Sequence, residues 1–107
     1  MVTVTILSGQ TVSDAADFHS TTFSGIVLPA AFTGTALTFQ VSHDGVTYQL
    51  LYGPTGAAVS LTVAGATPAR TYSFTADIAN ELSHWRWVKV VSGSAEGADR
   101  SVILWAR

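Results

Sequence analysis

A chain of 107 residues is long enough for one hydrophobic core but not for two, and its 48% apolar content excludes an intrinsically disordered protein. Only 11% of the residues are charged and the net charge is -2, so there is no clustered basic footprint for a nucleic acid. The absence of cysteine excludes disulfides and thiolate metal sites, and no apolar run is long enough to predict a bilayer span.

Short runs of β-branched and aromatic residues recur along the chain, with Gly, Pro, Asp or Asn between them. They predict strands at residues 2–7, 21–28, 37–42, 46–52, 59–63, 70–75, 85–91 and 101–106. Residues 77–82 favour one helical turn, capped by Asp77, as a connector between strands. This pattern is typical of a β-sandwich or a small barrel. We predict a single all-β domain over residues 1–107, an antiparallel β-sandwich of jelly-roll type with about eight short strands. Residues 1–19 are expected to form an edge strand or an N-terminal arm.

A β-hairpin over residues 37–52 is the clearest predicted element. Apolar residues alternate with polar ones before Asp44-Gly45, a pair suited to the positive φ of a two-residue turn. The alternation resumes after the turn at Val46, Tyr48, Leu50 and Tyr52. Together with the other strands, it predicts a core of Leu37, Phe39, Val41, Tyr48, Leu50, Leu61, Tyr72, Phe74, Val88, Val90 and Leu104.

No arrangement of side chains in the sequence is typical of catalysis or of metal binding. The histidines His19, His43 and His84 have no spacing that would bring two ligands to one metal ion. Asp14 and Asp17 lack the oxygen array of a calcium loop, and no serine stands in a nucleophile motif. We therefore predict a protein that is not an enzyme and that has no cofactor and no metal.

Residues 85–90 form the one segment whose pattern favours a specific binding function as well as a structural one. Alternation puts Trp85, Trp87 and Lys89 on one face of the predicted strand. An exposed face of this kind would stack on a sugar or pack against a partner protein. The other interpretation is that a tryptophan belongs to the core, which we favour for Trp85. Trp87 and Trp105 are left open between the two.

Residues 28–45, which read LPAAFTGTALTFQVSHDG, resemble a block found in small β-sandwich proteins encoded among the structural genes of tailed bacteriophages. The similarity continues in residues 53–61, 85–93 and 98–104, and so extends over most of the chain from Ser20 onward. The resemblance brings no catalytic residues. It implies a virion protein of the phage head surface, commonly a capsid decoration or cement protein that binds and stabilises the assembled head.

The resemblance also implies the partners and the location. The partners are the major capsid protein and further copies of the chain, with no nucleic acid and no membrane. A trimer is favoured because icosahedral shells offer three-fold positions. The protein would be made in the host cytoplasm and would end in the virion. Val2, Val4 and Ile6 are the predicted contacts, because their alternation suits pairing along a sheet edge.

A second hypothesis is a carbohydrate-binding module of a phage tail or fibre. It would use Trp87, Trp105 and Tyr52 as stacking platforms. The orientation of the tryptophans separates the two hypotheses. Buried rings favour a structural role, and coplanar exposed rings favour sugar binding.

Overall fold

The computed structural model describes residues 2–17, 23–30, 32–54, 56–63, 69–74 and 76–106. His19 lies outside these residues. The described elements, in chain order, are Val2–Ile6 (β1), Ala16–Asp17 (β2), Phe23–Leu28 (β3), Ala36–Ser42 (β4), Gln49–Leu50 (β5), Ser60–Thr62 (β6), Arg70–Ser73 (β7), Ala76–Ser83 (α1), Trp87–Ser92 (β8) and Arg100–Ala106 (β9).

The strands form two antiparallel sheets that are connected as a jelly roll. One sheet has the order β1-β9-β3-β7, and the other has the order β2-β8-β4-β5 with β6 also paired to β4. The first strand thus pairs with the last, β2 with β8 and β3 with β7, as in a long hairpin rolled into two sheets. β5 and β6 pair with successive parts of β4 and share one strand position. The predicted all-β jelly-roll sandwich is therefore confirmed.

The core lies between the two sheets and is filled by alternate residues of the central strands. The five-stranded sheet contributes Leu37, Phe39, Val41, Val88 and Val90. The four-stranded sheet faces them with Val4, Ile6, Ile26, Leu28, Val102 and Leu104. Of the predicted core residues, Leu61, Tyr72 and Phe74 are partly buried against this cluster. The helix α1 has eight residues rather than one turn, and it adds Ile78 and Leu82 to the core.

The predicted hairpin exists, but its turn is longer than two residues. A two-residue turn at Asp44-Gly45 would pair Val41 with Tyr48, whereas the structure pairs Val41 with Gln49. This shift of one residue exchanges the two faces of the second strand. Leu51 is consequently buried with 5% exposure, while Leu50 is 37% and Tyr52 57% exposed. The predicted burial of Leu50 is wrong, and that of Tyr48 is only half met, since its side chain is half-buried.

Part of the predicted N-terminal arm, β1, is an edge strand of the four-stranded sheet. Its residues Val4 and Ile6, which the sequence predicted as partner contacts, are fully buried, so their side chains fill the core instead. On the outer edge, Thr5 donates its N–H to Asp14 Oδ1 at 2.6 Å and accepts the Asp14 N–H at 3.2 Å. The outward backbone groups of Thr5 are therefore already bonded within the chain.

Candidate functional site

The central ribbon of β4 and β8 has a carboxylate at each of its two ends. Leu37 pairs with Ser92 at one end of the ribbon, and Ser42 pairs with Trp87 at the other. Glu96 lies at the first end, which we call the closed end. Asp44 lies at the second, which we call the open end because a groove lies beside it.

Glu96 at the closed end is only 1% exposed, although it is charged. Its Oε1 accepts the Thr33 N–H at 2.8 Å and the Arg100 Nε–H at 3.2 Å. Its Oε2 accepts the Gly34 N–H at 3.2 Å and the Ser92 hydroxyl at 2.9 Å. Burial by itself would raise the pKa of Glu96, but these hydrogen bonds outweigh it and hold the pKa below its ordinary value. Glu96 thus joins three separate segments of the chain as a structural anion.

Asp44 at the open end organises the β4–β5 loop while remaining exposed. Its Oδ1 accepts the N–H groups of Val46 and Thr47, at 2.9 and 3.0 Å, and the Ser42 hydroxyl at 2.8 Å. The Ser42 oxygen in turn accepts the N–H groups of Asp44 and Gly45. Chiefly because of the two backbone donors, the pKa of Asp44 falls to about 2. This side chain is therefore ionised at neutral pH.

Gly45 has φ of 75°, which confirms the left-handed conformation predicted for it. The structure adds a second reason for glycine, because a Cβ at this position would lie 2.9 Å from a ring carbon of Trp87. The Arg86 guanidinium lies over the same ring, 5.0 Å from its centroid, and is paired with Asp17 at 2.9 and 3.0 Å. The hydrogen bond to Asp17 raises the pKa of Arg86 above its ordinary value. Trp87 thus packs against its own chain and is not a free platform.

The groove beside the loop has a volume of about 390 Å³. Among its lining residues are the aromatic side chains His43, Tyr52 and Trp85 and the polar side chains Asp44 and Gln49. The rings of His43 and Trp85 are stacked, with centroids 4.2 Å apart and a tilt of 33°. Trp85 also packs against the core, in line with the interpretation favoured from the sequence. The groove therefore combines a fixed aromatic wall with an ionised carboxylate.

The three predicted stacking residues do not come together. Tyr52 lines the groove, Trp87 lies on the five-stranded sheet, and Trp105 is 44% exposed on the four-stranded sheet. The sequence did not predict that Trp85 and His43 line a groove. Their contact joins two distant parts of the chain and depends on the shape of the loop, and no local pattern shows it.

The outer surface of the four-stranded sheet has a different composition. One row of paired residues runs across it through Thr3, Ile103, Val27 and Thr71. Neighbouring outward positions complete what we call the neutral face: Thr3, Thr5, Val27, Thr71, Ser73, Ser101, Ile103 and Trp105. None of these side chains carries a charge. The other sheet, by contrast, holds the Arg86–Asp17 pair and a Lys89 ammonium 4.2 Å from the Tyr48 ring centroid.

No known protein-family model matches this sequence, and no curated protein is similar enough to it to count as a relative. Within the described ranges, no three His, Asp or Glu side chains are grouped as ligands of a metal ion. No helix in the same part of the chain has the length and apolarity to cross a membrane. The fold, the neutral face and the groove are therefore the features from which a function can be inferred.

Proposed function

We propose that this protein is a non-enzymatic virion component of a tailed phage, a capsid decoration protein that binds and stabilises the assembled head. Two observations support the proposal besides the sequence resemblance. The fold is a jelly roll, an architecture that recurs in viral capsid proteins as well as in lectins and cupins. The neutral face, which is the observation that carries the proposal, provides an interaction surface without charges.

The neutral face suits contact with a preassembled shell for a physical reason. A charged surface must be desolvated before it can be covered, and an unpaired buried charge is strongly unfavourable. Hydroxyl, aliphatic and aromatic groups avoid that cost, and interface cores are depleted of charge and enriched in aromatic residues. Trp105 is the natural anchor of this surface, because it is exposed and lies near the end of β9, one of the two central strands of the sheet.

We further propose a trimer in which the edge of β1 in each copy contacts a different surface of the next copy, because pairing of β1 with β1 would close as a dimer. Thr5 directs its backbone groups to Asp14 and away from β9, so Thr3, two residues earlier, also directs its backbone outward. Outward N–H and C=O groups on a sheet edge can pair with another chain, and since Asp14 occupies those of Thr5, Thr3 is the position on β1 proposed for this contact. Several copies held together would bind a shell through many modest contacts and so with higher avidity.

The edge contact can be tested with Thr3→Pro, which removes one outward N–H without removing a bond to β9. Light scattering coupled to size-exclusion chromatography should give a trimer mass for the wild type and a monomer mass for this variant. Circular dichroism should show the same β-rich spectrum for both. A wild-type monomer, or a variant that stays trimeric, would contradict the proposed edge contact.

The decoration function is tested by co-sedimentation with purified phage heads that lack this protein. The wild type should pellet with the heads. Thr71→Lys places a charge on the neutral face and should weaken binding by about tenfold or more. The matched control is Thr62→Lys, which changes an exposed threonine in a short strand of the other sheet and should bind like the wild type.

Two results would count against this function. Equal binding by Thr71→Lys and the wild type would exclude the neutral face as the contact surface. Retention on host polysaccharide without any binding to heads would favour the alternative, a carbohydrate-binding module of a tail or fibre. That alternative lacks the shared platform expected from the sequence, since Trp87 and Trp105 lie on different sheets.

A further inference from the structure

We propose that the groove at the open end is a binding site for an uncharged saccharide, in which Trp85 and Tyr52 supply the apolar wall and Asp44 the principal acceptor. This site lies on a different part of the molecule from the neutral face. The inference goes beyond the decoration function and does not depend on it.

The aromatic wall is preformed. Trp85 is packed against the core and stacked on His43 at 4.2 Å, so both rings are fixed before any ligand arrives. Trp85 is half-buried and His43 is exposed, and the two rings line the groove together. Tyr52 is 57% exposed beside it, and Leu50 adds an exposed aliphatic side chain. Apolar groups fixed in this way lose little conformational entropy on binding, which favours a ligand with apolar C–H surfaces.

The polar side of the groove complements hydroxyl groups. All the bonds that Asp44 accepts within the loop reach its Oδ1, and none from the described residues reaches Oδ2. Its carboxylate is ionised and exposed, so Oδ2 is available to accept hydrogen bonds from a ligand. Gln49 and Thr47, which also line the groove, provide an amide and a hydroxyl that both donate and accept.

The charge of the groove restricts the class of ligand. No lysine or arginine is among its described lining residues, whereas Asp44 contributes a negative charge. A phosphate or carboxylate ligand would therefore be repelled. An organic cation such as choline fits an aromatic wall with a carboxylate, but its quaternary nitrogen donates no hydrogen bond to Asp44, and it has a single hydroxyl for the amide of Gln49 and the hydroxyl of Thr47. A saccharide uses the apolar wall, the carboxylate and both neutral polar groups.

The size of the groove agrees with this class of ligand. Its volume of about 390 Å³ falls within the range of about 300–1,000 Å³ that is usual for small-molecule sites. The exposed side chains around it, Asp44, Gln49 and Tyr52, leave it open to solvent on one side. A saccharide unit within a longer glycan can therefore enter laterally, without threading a chain end.

The test is a titration of ¹⁵N-labelled protein, followed by two-dimensional NMR, with the methyl glycosides of glucose, galactose, mannose and N-acetylglucosamine. Choline chloride is titrated in parallel. At least one glycoside should shift the amide signals of residues 42–52 and the indole N–H of Trp85, with a Kd of roughly 1 mM. Tyr52→Ala should weaken this binding by about tenfold or more. The matched control Trp105→Ala, which removes an exposed aromatic from the other sheet, should leave the Kd unchanged within about twofold.

Every other result overturns the proposal. No shift with any of the four glycosides up to about 50 mM excludes a saccharide site of useful affinity. Shifts with choline alone replace the saccharide by an organic cation. Signal shifts centred on Trp105, or an equal loss of affinity in both variants, would show that the saccharide does not bind in the groove. Because Tyr52→Ala leaves the neutral face intact, it should still co-sediment with phage heads, so failure of one proposal is distinguishable from failure of the other.

Discussion

Glu96 and Asp44 use the same interaction at opposite ends of the β4–β8 ribbon, with different consequences. Each carboxylate collects backbone N–H groups from a loop, and each has its pKa lowered by those bonds. Glu96 is buried and paired with Arg100, so it closes its end of the sandwich. Asp44 is exposed and shapes a loop next to a groove. Burial and a cationic partner therefore make the difference between a structural link and an accessible site.

Glu96→Ala should have the largest effect on stability. It leaves Arg100 without its partner and removes the acceptor of the Thr33 and Gly34 N–H groups and of the Ser92 hydroxyl. Removing one member of a buried ion pair typically costs about 3–5 kcal/mol. Urea denaturation at pH 7 measures the loss. Asp44→Ala is the control from the open end and should unfold at a urea concentration much closer to that of the wild type. Equal losses in the two variants would contradict the distinction between the two ends.

The register of the β4–β5 hairpin gives the next largest effect. Leu51→Ala should cost about 2–5 kcal/mol, because this side chain is buried in the core. Leu50→Ala removes the same atoms from a groove position and should change the free energy of unfolding by about 0.5 kcal/mol or less. Denaturant titration of the two variants compares them directly. A larger loss for Leu50→Ala would mean that the alternation expected from the sequence is correct after all.

This hairpin also shows how much of the fold was predictable from the sequence. The alternation of apolar and polar residues predicted the strand positions and the sandwich, because each strand buries one face against the same core. The alternation did not predict which face of the second strand is buried. That face depends on the length of the loop, which is set by hydrogen bonds from backbone N–H groups to the side chains of Ser42 and Asp44. A local sequence pattern does not show those hydrogen bonds, and an error of one residue in the loop length exchanges the buried and exposed faces of the strand.

The candidate sites were predictable to different degrees. Tyr52 and Trp105 were predicted as stacking residues, and both side chains are exposed in the structure. The neutral face was not recognised, because Thr3, Val27 and Thr71 become neighbours only through pairing between distant strands. The role of Glu96 was not predictable either, since nothing near it in sequence indicates that Thr33 and Gly34 meet it.

Gly45→Ala tests how tightly the open end is built. An alanine there must adopt a positive φ, which costs about 1–2 kcal/mol, and its Cβ must also displace the Trp87 ring. Gly56→Ala is a matched control, since Gly56 has φ of 86° but no neighbour within 4 Å of the position of a Cβ. Thermal or urea unfolding should therefore show a greater loss for Gly45→Ala than for Gly56→Ala. Equal losses would mean that the Trp87 contact adds nothing to the effect of the backbone.

The pH dependence of stability in acid should distinguish the two carboxylates. The contribution of Asp44 to stability is expected to be the smallest effect. Because each pKa is lower in the folded protein than its ordinary value, the folded state binds fewer protons than the unfolded state. The resulting stability is fully present above the ordinary pKa and is lost as the pH falls. For Glu96 the loss of stability begins near the ordinary pKa of 4.5. For Asp44 it extends from the ordinary pKa of 3.8 down to the folded-state pKa of about 2.

Urea midpoints measured between neutral pH and the acid limit test this order. Glu96→Gln should flatten the pH dependence that begins near 4.5, because glutamine does not titrate. Asp44→Asn should leave that part unchanged and flatten only the dependence at lower pH, by a small amount because solvent screens an exposed carboxylate. Asparagine keeps an oxygen that can accept the Val46 and Thr47 N–H groups, so the loop should persist at neutral pH. A profile for Glu96→Gln that matches the wild type would show that the closed end is not held by an ionised carboxylate.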